Sequence, residues 1–358
     1  DVYKRQNDKI AIEVGEIKFP PQDVLQLKSY YLSSSVHVDS IDYLIGYNYR
    51  LHSLDCMNLK SKSVTQIVLP GDGPDAIVRL SGIYAQSLDS VWISDESERA
   101  FLIDSVGTIK RMIDLKKYLE DQEQLLINTN YAMFTSHLFY NASRHSLMFL
   151  VKHTPSNTFI VKEVFIDEVG KMATYQLSSS KVVPDMSKGY AYINFPNVNF
   201  VGENIVYNYP VESSIYMLDI RTNERKYILA DSHYTSNIIE KCTTSGDYAT
   251  LEKHWLENSH FYDIMYFPKY KIYARLHADK VDFDEKKGME KLINERDLYL
   301  MLFDENMEKI GETKLSNCRY SPFTSWNATY GGIALFVDNV LDEKNNTDDL
   351  TIDIISLK

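Results

Sequence analysis

Hydrophobic and polar residues alternate along most of this chain in short runs broken by turn-forming residues. The run "SSIYMLDI" (213–220) shows the pattern cleanly: Tyr216, Leu218 and Ile220 fall on one face, Ile215 and Met217 on the other. A period of two with apolar side chains on both faces predicts a strand in a sheet covered on both sides. Such runs recur in groups of about four, over residues 42–69, 82–115, 133–177, 196–230, 248–315 and 324–358. The fifth group is read as opening with a strand at "YATLEK" (248–253). The last group is one strand short, while "KIAIEVGEIKF" (9–19) reads as a strand with no group of its own.

Four-stranded units repeating at this scale predict an all-β fold, a six-bladed β-propeller. The 9–19 strand would complete the last blade and close the ring, which removes an open sheet edge. A pair of β-sandwiches accounts for the strands, but not for the grouping in fours or the orphan strand. Two segments break the pattern. Residues 114–127 place Leu115, Tyr118, Leu119, Gln122 and Leu126 on one face and predict a short helix. The charged stretch 279–296 predicts a partly helical insertion. Neither is long enough for a second domain, so residues 7–358 read as one. The opening "DVYKRQ" (1–6) resembles an adaptor-derived leader of translated metagenomic fragments, and an export or lipid-attachment signal is expected to have preceded residue 7.

Composition narrows the function. The chain has 358 residues, 44% hydrophobic and 25% charged, which is ordinary for a globular protein. Its 26 tyrosines suit strands. A net charge of −12, with no Lys/Arg-rich run, argues against a nucleic-acid partner. Cys56, Cys242 and Cys318 are far apart and odd in number, so they read as free thiols. No apolar run approaches the roughly 18 residues of a transmembrane segment.

Candidate chemistry is sparse. "LPGDGPDAI" (69–77) sets Gly71 and Gly73 around an acid, but it fits no phosphate-binding motif and no helix is predicted after it, so it reads as a turn between the first two blades. Asp282 and Asp284 have the spacing of the first two calcium-loop ligands, yet Lys286 and Lys287 occupy the positions that must bind and turn. The histidines show no zinc spacing, and no cofactor is implied. There is no G-x-S-x-G elbow. What remains is a binding surface. In a four-stranded blade, the links between strands 2 and 3 and between successive blades share one face. That face is expected to gather Arg50, Arg79, Tyr131, His137, Asn194, Arg319 and Tyr320 as ligand contacts, with Tyr49, Tyr209, Lys269 and Tyr270 nearby. Aromatics mixed with Arg and Asn suit a sugar, a peptide or an anionic group. Arg319 and Tyr320 lead the set, because "NCRYSPF" puts them just before the last blade.

"GDGPDAIVRLSGIYAQSLDSVWISDESERAFLIDSVGTIKR" resembles a blade of the NHL-type six-bladed propellers, in which strands end in Asp before polar turns. Together with "NIVYNYPVESSIYMLDI" and "MYFPKYKIYARL", it resembles the Bacteroidetes propeller family catalogued as domain of unknown function 4221. The resemblance implies no catalytic residues. It implies a protein that is exported or lipid-anchored in the cell envelope, in the periplasm or on the outer membrane. The expected function is a monomeric, non-catalytic module that binds a glycan, a peptide or an envelope protein. The alternative is a glycan-active hydrolase or lyase, since propeller sites can draw two carboxylates from distant blades.

Overall fold

The computed structural model describes residues 12–21, 25, 27–126, 135–183, 189–190, 194–242, 247–322, 326–344 and 348–358. Its strands form six sheets in a ring. The first blade is β2 (Ser33–Val38), β3 (Ile41–Asn48), β4 (Ser53–Asn58) and β5 (Val64–Val68). The second is β6 (Leu80–Ser87), β7 (Ser90–Asp95), β8 (Arg99–Ile103) and β9 (Ile109–Asp114). The third holds β10 (Glu123–Leu126), β11 (Phe139–Asn141), β12 (Ser146–His153), β13 (Thr158–Phe165) and β14 (Met172–Gln176). The fourth is β15 (Asn197–Val201), β16 (Asn204–Asn208), β17 (Ile215–Asp219) and β18 (Arg225–Ile228). After helix α1 (Tyr248–Leu256) comes the fifth, β19 (His260–Phe267), β20 (Ile272–Ala278), β21 (Leu298–Phe303) and β22 (Lys309–Lys314), with helix α2 (Met289–Asn294) inserted before β21. The sixth combines β23 (Trp326–Ala328), β24 (Ile333–Phe336) and β25 (Leu350–Leu357) with the N-terminal β1 (Ile12–Phe19), in the order β1-β25-β24-β23.

Ring closure is as the sequence predicts. β1 is the outermost strand of the last blade and pairs antiparallel with β25 from Ile12↔Leu357 to Phe19↔Leu350. The hydrophobic core is divided in a way that makes this pairing matter. The apolar clusters straddle neighbouring blades: one joins Ile45 and Leu54 of the first blade to Ile83 and Phe101 of the second, and another joins Phe336 and Ile352 of the last to Leu44 and Met57 of the first. Phe19 of β1 is fully buried in the latter.

Buried acids recur from blade to blade. Asp55, Asp95, Glu163, Glu312 and Asp353 are all fully buried, each with donors around it. Asp55 accepts from the Tyr30 hydroxyl at 2.5 Å and from Asn48 at 2.9 Å. The Tyr30 ring reaches it by lying across Gly46, where a Cβ would collide with the ring. Glu163 accepts from Arg144, Ser146 and Tyr175 at 2.8, 2.5 and 2.7 Å. Glu312 accepts from His277 Nε2 at 2.8 Å, from Ser232 at 2.5 Å and from the His233 N–H at 3.0 Å. Burial pushes the Glu312 carboxyl up, but those hydrogen bonds, His277 first, outweigh it and hold it at about 2.

Three local expectations are corrected. Residues 114–127 do not form one helix. Asp114 caps a single 3₁₀ turn, Leu115–Tyr118, by accepting from the Lys116 N–H, Gln122 takes a positive φ of 69°, and Glu123–Leu126 then pairs with β12. Residues 248–253 are helical rather than a strand, because Asp247 caps the Ala249 N–H and starts α1. The Ser-rich β2, absent from the predicted first group, is that blade's innermost strand. The charged stretch 279–296 does contain a short helix, α2.

Two outcomes test this account. A chain starting at residue 21 loses β1, exposing the edge of β25 and part of the last interblade core. It should lose several kcal/mol of a total of about 5–15 and melt roughly 5–10 °C lower; an unchanged melting temperature would show that β1 does not close the ring energetically. The Glu312 carboxyl is held below its ordinary 4.5, so its contribution is present above about pH 4.5 and is lost as pH falls towards 2. Glu312→Gln should therefore flatten the acid limb of stability in that window, where the wild type loses on the order of 3 kcal/mol. Urea melts across the pH range measure this, and an identical slope in the variant would count against it.

Candidate functional site

The innermost strands β2, β6, β11, β15, β19 and β23 surround a central channel. Its main cavity is about 310 Å³ and draws lining residues from every blade. Three features of the chain place functional groups there.

The first is a break in the third blade. β10 and β11 both pair with β12, at its two ends, so the innermost strand of this blade is in two pieces. The chain just before β11 runs alongside β15 instead: the Val198 N–H donates to the Thr135 carbonyl at 2.8 Å, and the His137 N–H to the Val198 carbonyl at 3.3 Å. This carries His137 into the channel. The second is a bulge in β19, where the register shifts between Phe261 and Ile264 and re-aims Asp263 inward. The third is Trp326, at the start of β23. Its ring packs edge-on against Tyr262 at 4.5 Å, and its Nε1–H donates to Asp263 Oδ1 at 2.7 Å. His137 Nε2 meets the other oxygen, Asp263 Oδ2, at 3.0 Å. The Asp263 side chain is only 2% exposed, whereas His137 remains 31% exposed.

Around this trio the walls are hydroxyl, amide and aromatic groups. Ser33, Ser34 and Ser35 of β2 line one side. Ser34 accepts from the Ala85 N–H at 3.0 Å, and Ser33 accepts from Asn327 at 2.7 Å. Asn199 lines the opposite side and is held by the Ile264 carbonyl at 2.9 Å. Tyr84, Phe139 and Phe200 form a continuous aromatic wall, with ring centroids 5.1 Å and 5.0 Å apart. The cavity reaches Gly202 in the β15–β16 turn, and thus the face that carries the hairpins between strands 1 and 2. Towards the strand 2–3 face there is a smaller hollow of about 30 Å³ under Tyr31, Thr135 and Trp326.

Among the described residues, no group of three or more His, Cys, Asp or Glu side chains is arranged to hold a metal ion. No described helix is long and apolar enough to cross a membrane.

The family model of the domain of unknown function DUF4221 matches residues 4–314. The chain belongs to the DUF4221 family. A crystal structure of a DUF4221 member from Bacteroides vulgatus superposes with a TM-score of 0.77 at 14% identity, covering 97% of this chain and 99% of that one. A Bacteroides fragilis protein described as a candidate exported protein superposes with a TM-score of 0.58, also at 14% identity, over 99% and 98% of the two chains. No match is found among curated proteins.

The expected contacts fall in different places in this DUF4221 propeller. His137 is in the channel. Arg50 lies in the link between β3 and β4 and Arg79 just before β6, both on the strand 2–3 face. Arg79 donates to the Tyr31 hydroxyl at 3.4 Å, and Tyr31 also meets the Tyr49 ring at 6.0 Å, so Tyr31 links both arginine-bearing loops to the smaller hollow. Asn194 precedes β15, with a buried Oδ1 that has no partner among the described residues. Tyr131 lies outside the described residues. Tyr209 is buried between blades and donates to the Ser178 carbonyl at 2.7 Å. Lys269 and Tyr270 sit on the β19–β20 hairpin, on the face opposite to the expected one.

Arg319 and Tyr320 require the largest correction. Tyr320 is 4% exposed and its hydroxyl donates to Asp353 Oδ2 at 2.7 Å. Arg319 donates to both Asp353 oxygens, at 2.5 and 2.9 Å, and to Glu16 of β1 at 2.8 Å. Both side chains are committed to holding the closing blade together. Sequence reasoning missed Asp263, Trp326 and the three serines of β2. The nearest trace of them in the sequence is the serine run of "SSSVHV", whose Ser33, Ser34 and Ser35 line the cavity.

This assignment has a direct test. Surface substitutions usually change stability by within ~0.5 kcal/mol, but Arg319→Ala would leave Asp353 buried without its cation and should cost about 3 kcal/mol. Denaturant unfolding measures it, and a variant as stable as wild type would return Arg319 to the surface set.

Proposed function

We propose that this protein is a non-catalytic binding module of the bacterial cell envelope that takes its ligand in the central channel. The observation that carries this reading is the cavity of about 310 Å³ whose polar and aromatic lining comes from all six blades. Pockets that bind small molecules are concave, of roughly 300–1,000 Å³, and mix apolar walls with a few fixed polar groups. Here the polar groups are oriented in advance: Asp263 by Trp326 and His137, Asn199 by the Ile264 carbonyl, and Asn327 by Ser33. Arg79, Tyr31 and Tyr49 add a stacking and hydrogen-bonding surface at the strand 2–3 face for the larger part of a glycan, a peptide or an envelope protein. Export is supported by the description of the Bacteroides fragilis neighbour.

A glycan-cleaving role asks for two carboxyl groups about 5–9.5 Å apart across the bond. Among the described residues that line the cavity, Asp263 is the one acid, and it is held by an indole and an imidazole. That favours binding over cleavage.

Thermal shifts against a panel of saccharides and short peptides test the reading. A ligand at a hundred times its Kd should stabilise the protein by about 2.7 kcal/mol. Ala328→Trp narrows the channel from β23 and should remove the shift; because Ala328 also packs against the core between the last two blades, the variant's own melting transition checks that it is folded. A shift that survives in Ala328→Trp would move the site elsewhere, and product release from any glycan would replace binding by catalysis.

A further inference from the structure

We infer that the channel selects an alkylammonium group, carried either by a lysine side chain of a peptide or by a free amine. This rests on the channel being the binding site and names the ligand chemistry that it takes. Three observations support it. Asp263 carries the one acidic side chain among the described residues that line the main cavity, and that lining includes no Lys or Arg. An ionised carboxylate offers about four lone-pair positions, of which Trp326 and His137 use one on each oxygen. Positions therefore remain for a further donor, which would reach the 2%-exposed carboxylate where it borders the cavity.

The second observation is the aromatic wall of Tyr84, Phe139 and Phe200 on the same cavity. A ring face left open by the Phe139–Phe200 stack attracts a cation, and the attraction grows as water is excluded. Such a face also packs against methylene groups, which is how long cationic side chains bury their stems. The third is size. A cavity of about 310 Å³ corresponds to roughly ten water-sized volumes, ample for a five-carbon chain. An anion would meet the Asp263 carboxylate, with His137 the one basic side chain among the described lining residues and already bonded to it, and would be disfavoured; a neutral chain would leave the carboxylate's free positions without a charged partner.

Calorimetry on the full chain with three probes of equal length separates these cases: 1,5-diaminopentane, 1,5-pentanediol and glutarate. The diamine should bind saturably and at least ~10-fold more tightly than the diol, with no saturable heat from glutarate. Asp263→Asn keeps the shape and an acceptor for Trp326 while removing the charge, and should weaken the diamine by at least ~10-fold. Acetyl-Gly-Lys-Gly-amide identifies the source: comparable binding assigns a peptide lysine, and binding of the diamine alone assigns a free amine. The inference is overturned if the diol or glutarate matches the diamine, if Asp263→Asn binds the diamine as wild type does, or if none of the probes binds. The comparison among probes needs only the wild-type protein, so it stands even where the variant folds poorly. A saccharide whose thermal shift is lost in Ala328→Trp would leave the channel site standing while the ammonium inference fell.

Discussion

Each hydrophobic cluster of this propeller lies between two blades, so no blade carries a complete core by itself. Phe101 and Ile103 are dry only because the first blade covers them, and Leu44 and Met57 only because the last blade does. Burial worth about 25 cal/mol per Å² is therefore available only when neighbours are in place, and the ring gains its last interface when β1 joins β25. That dependence explains why polar ties cluster at the junction. Arg319 grips Asp353 on β25 and Glu16 on β1 together, and Tyr320 shares the same carboxylate. A cation bonded to both strands resists the separation that would expose two blades at once.

The same logic accounts for the buried acids of the other blades. A fully buried carboxylate is costly unless it is surrounded by donors. Glu312 of the fifth blade takes two of its donors, Ser232 and the His233 N–H, from the link that follows the fourth blade. Asp55 takes the Tyr30 hydroxyl from the link that enters the first. Such bonds fix how one blade sits against the next, which non-directional apolar packing does not specify.

Much of this was legible in the sequence. Strands ending in Asp or Asn before polar turns were visible as a motif, and their cause is local: Asp104 accepts from the Val106 and Thr108 N–H groups, Asp219 from those of Arg221 and Thr222, and Asn58 from those of Lys60 and Ser61. One side chain there closes the hairpin, so it leaves its trace in the first, second and fourth blades. The turn reading of Gly71-Asp72-Gly73 holds for a similar reason: Gly73 takes a φ of 91°, and the chain bonds back from the Ile77 N–H to the Pro70 carbonyl before β6. The strand β2 was hard to read because its first half borders the channel: in "SSSVHV" only Val36 and Val38 carry the apolar alternation that marks a covered sheet. Arg319 and Tyr320 were misread for the opposite reason. They resemble a surface pair, and only the return of β25 and β1 from distant parts of the chain supplies the acids that hold them.

The site was legible only in the case of His137, and even then without its partner. His137 and Asp263 are separated by 126 positions, and each reaches the channel through an irregularity, the split inner strand of the third blade and the bulge of β19. Irregularities of this kind weaken strand pairing locally, so they persist where the surrounding structure holds them. Here the Val198 backbone holds one and the Trp326 indole the other. The closed ring supplies that support. With the blades locked against one another by their shared cores, the innermost strands can give up regular pairing and present polar groups to the channel, the one place where all six blades meet.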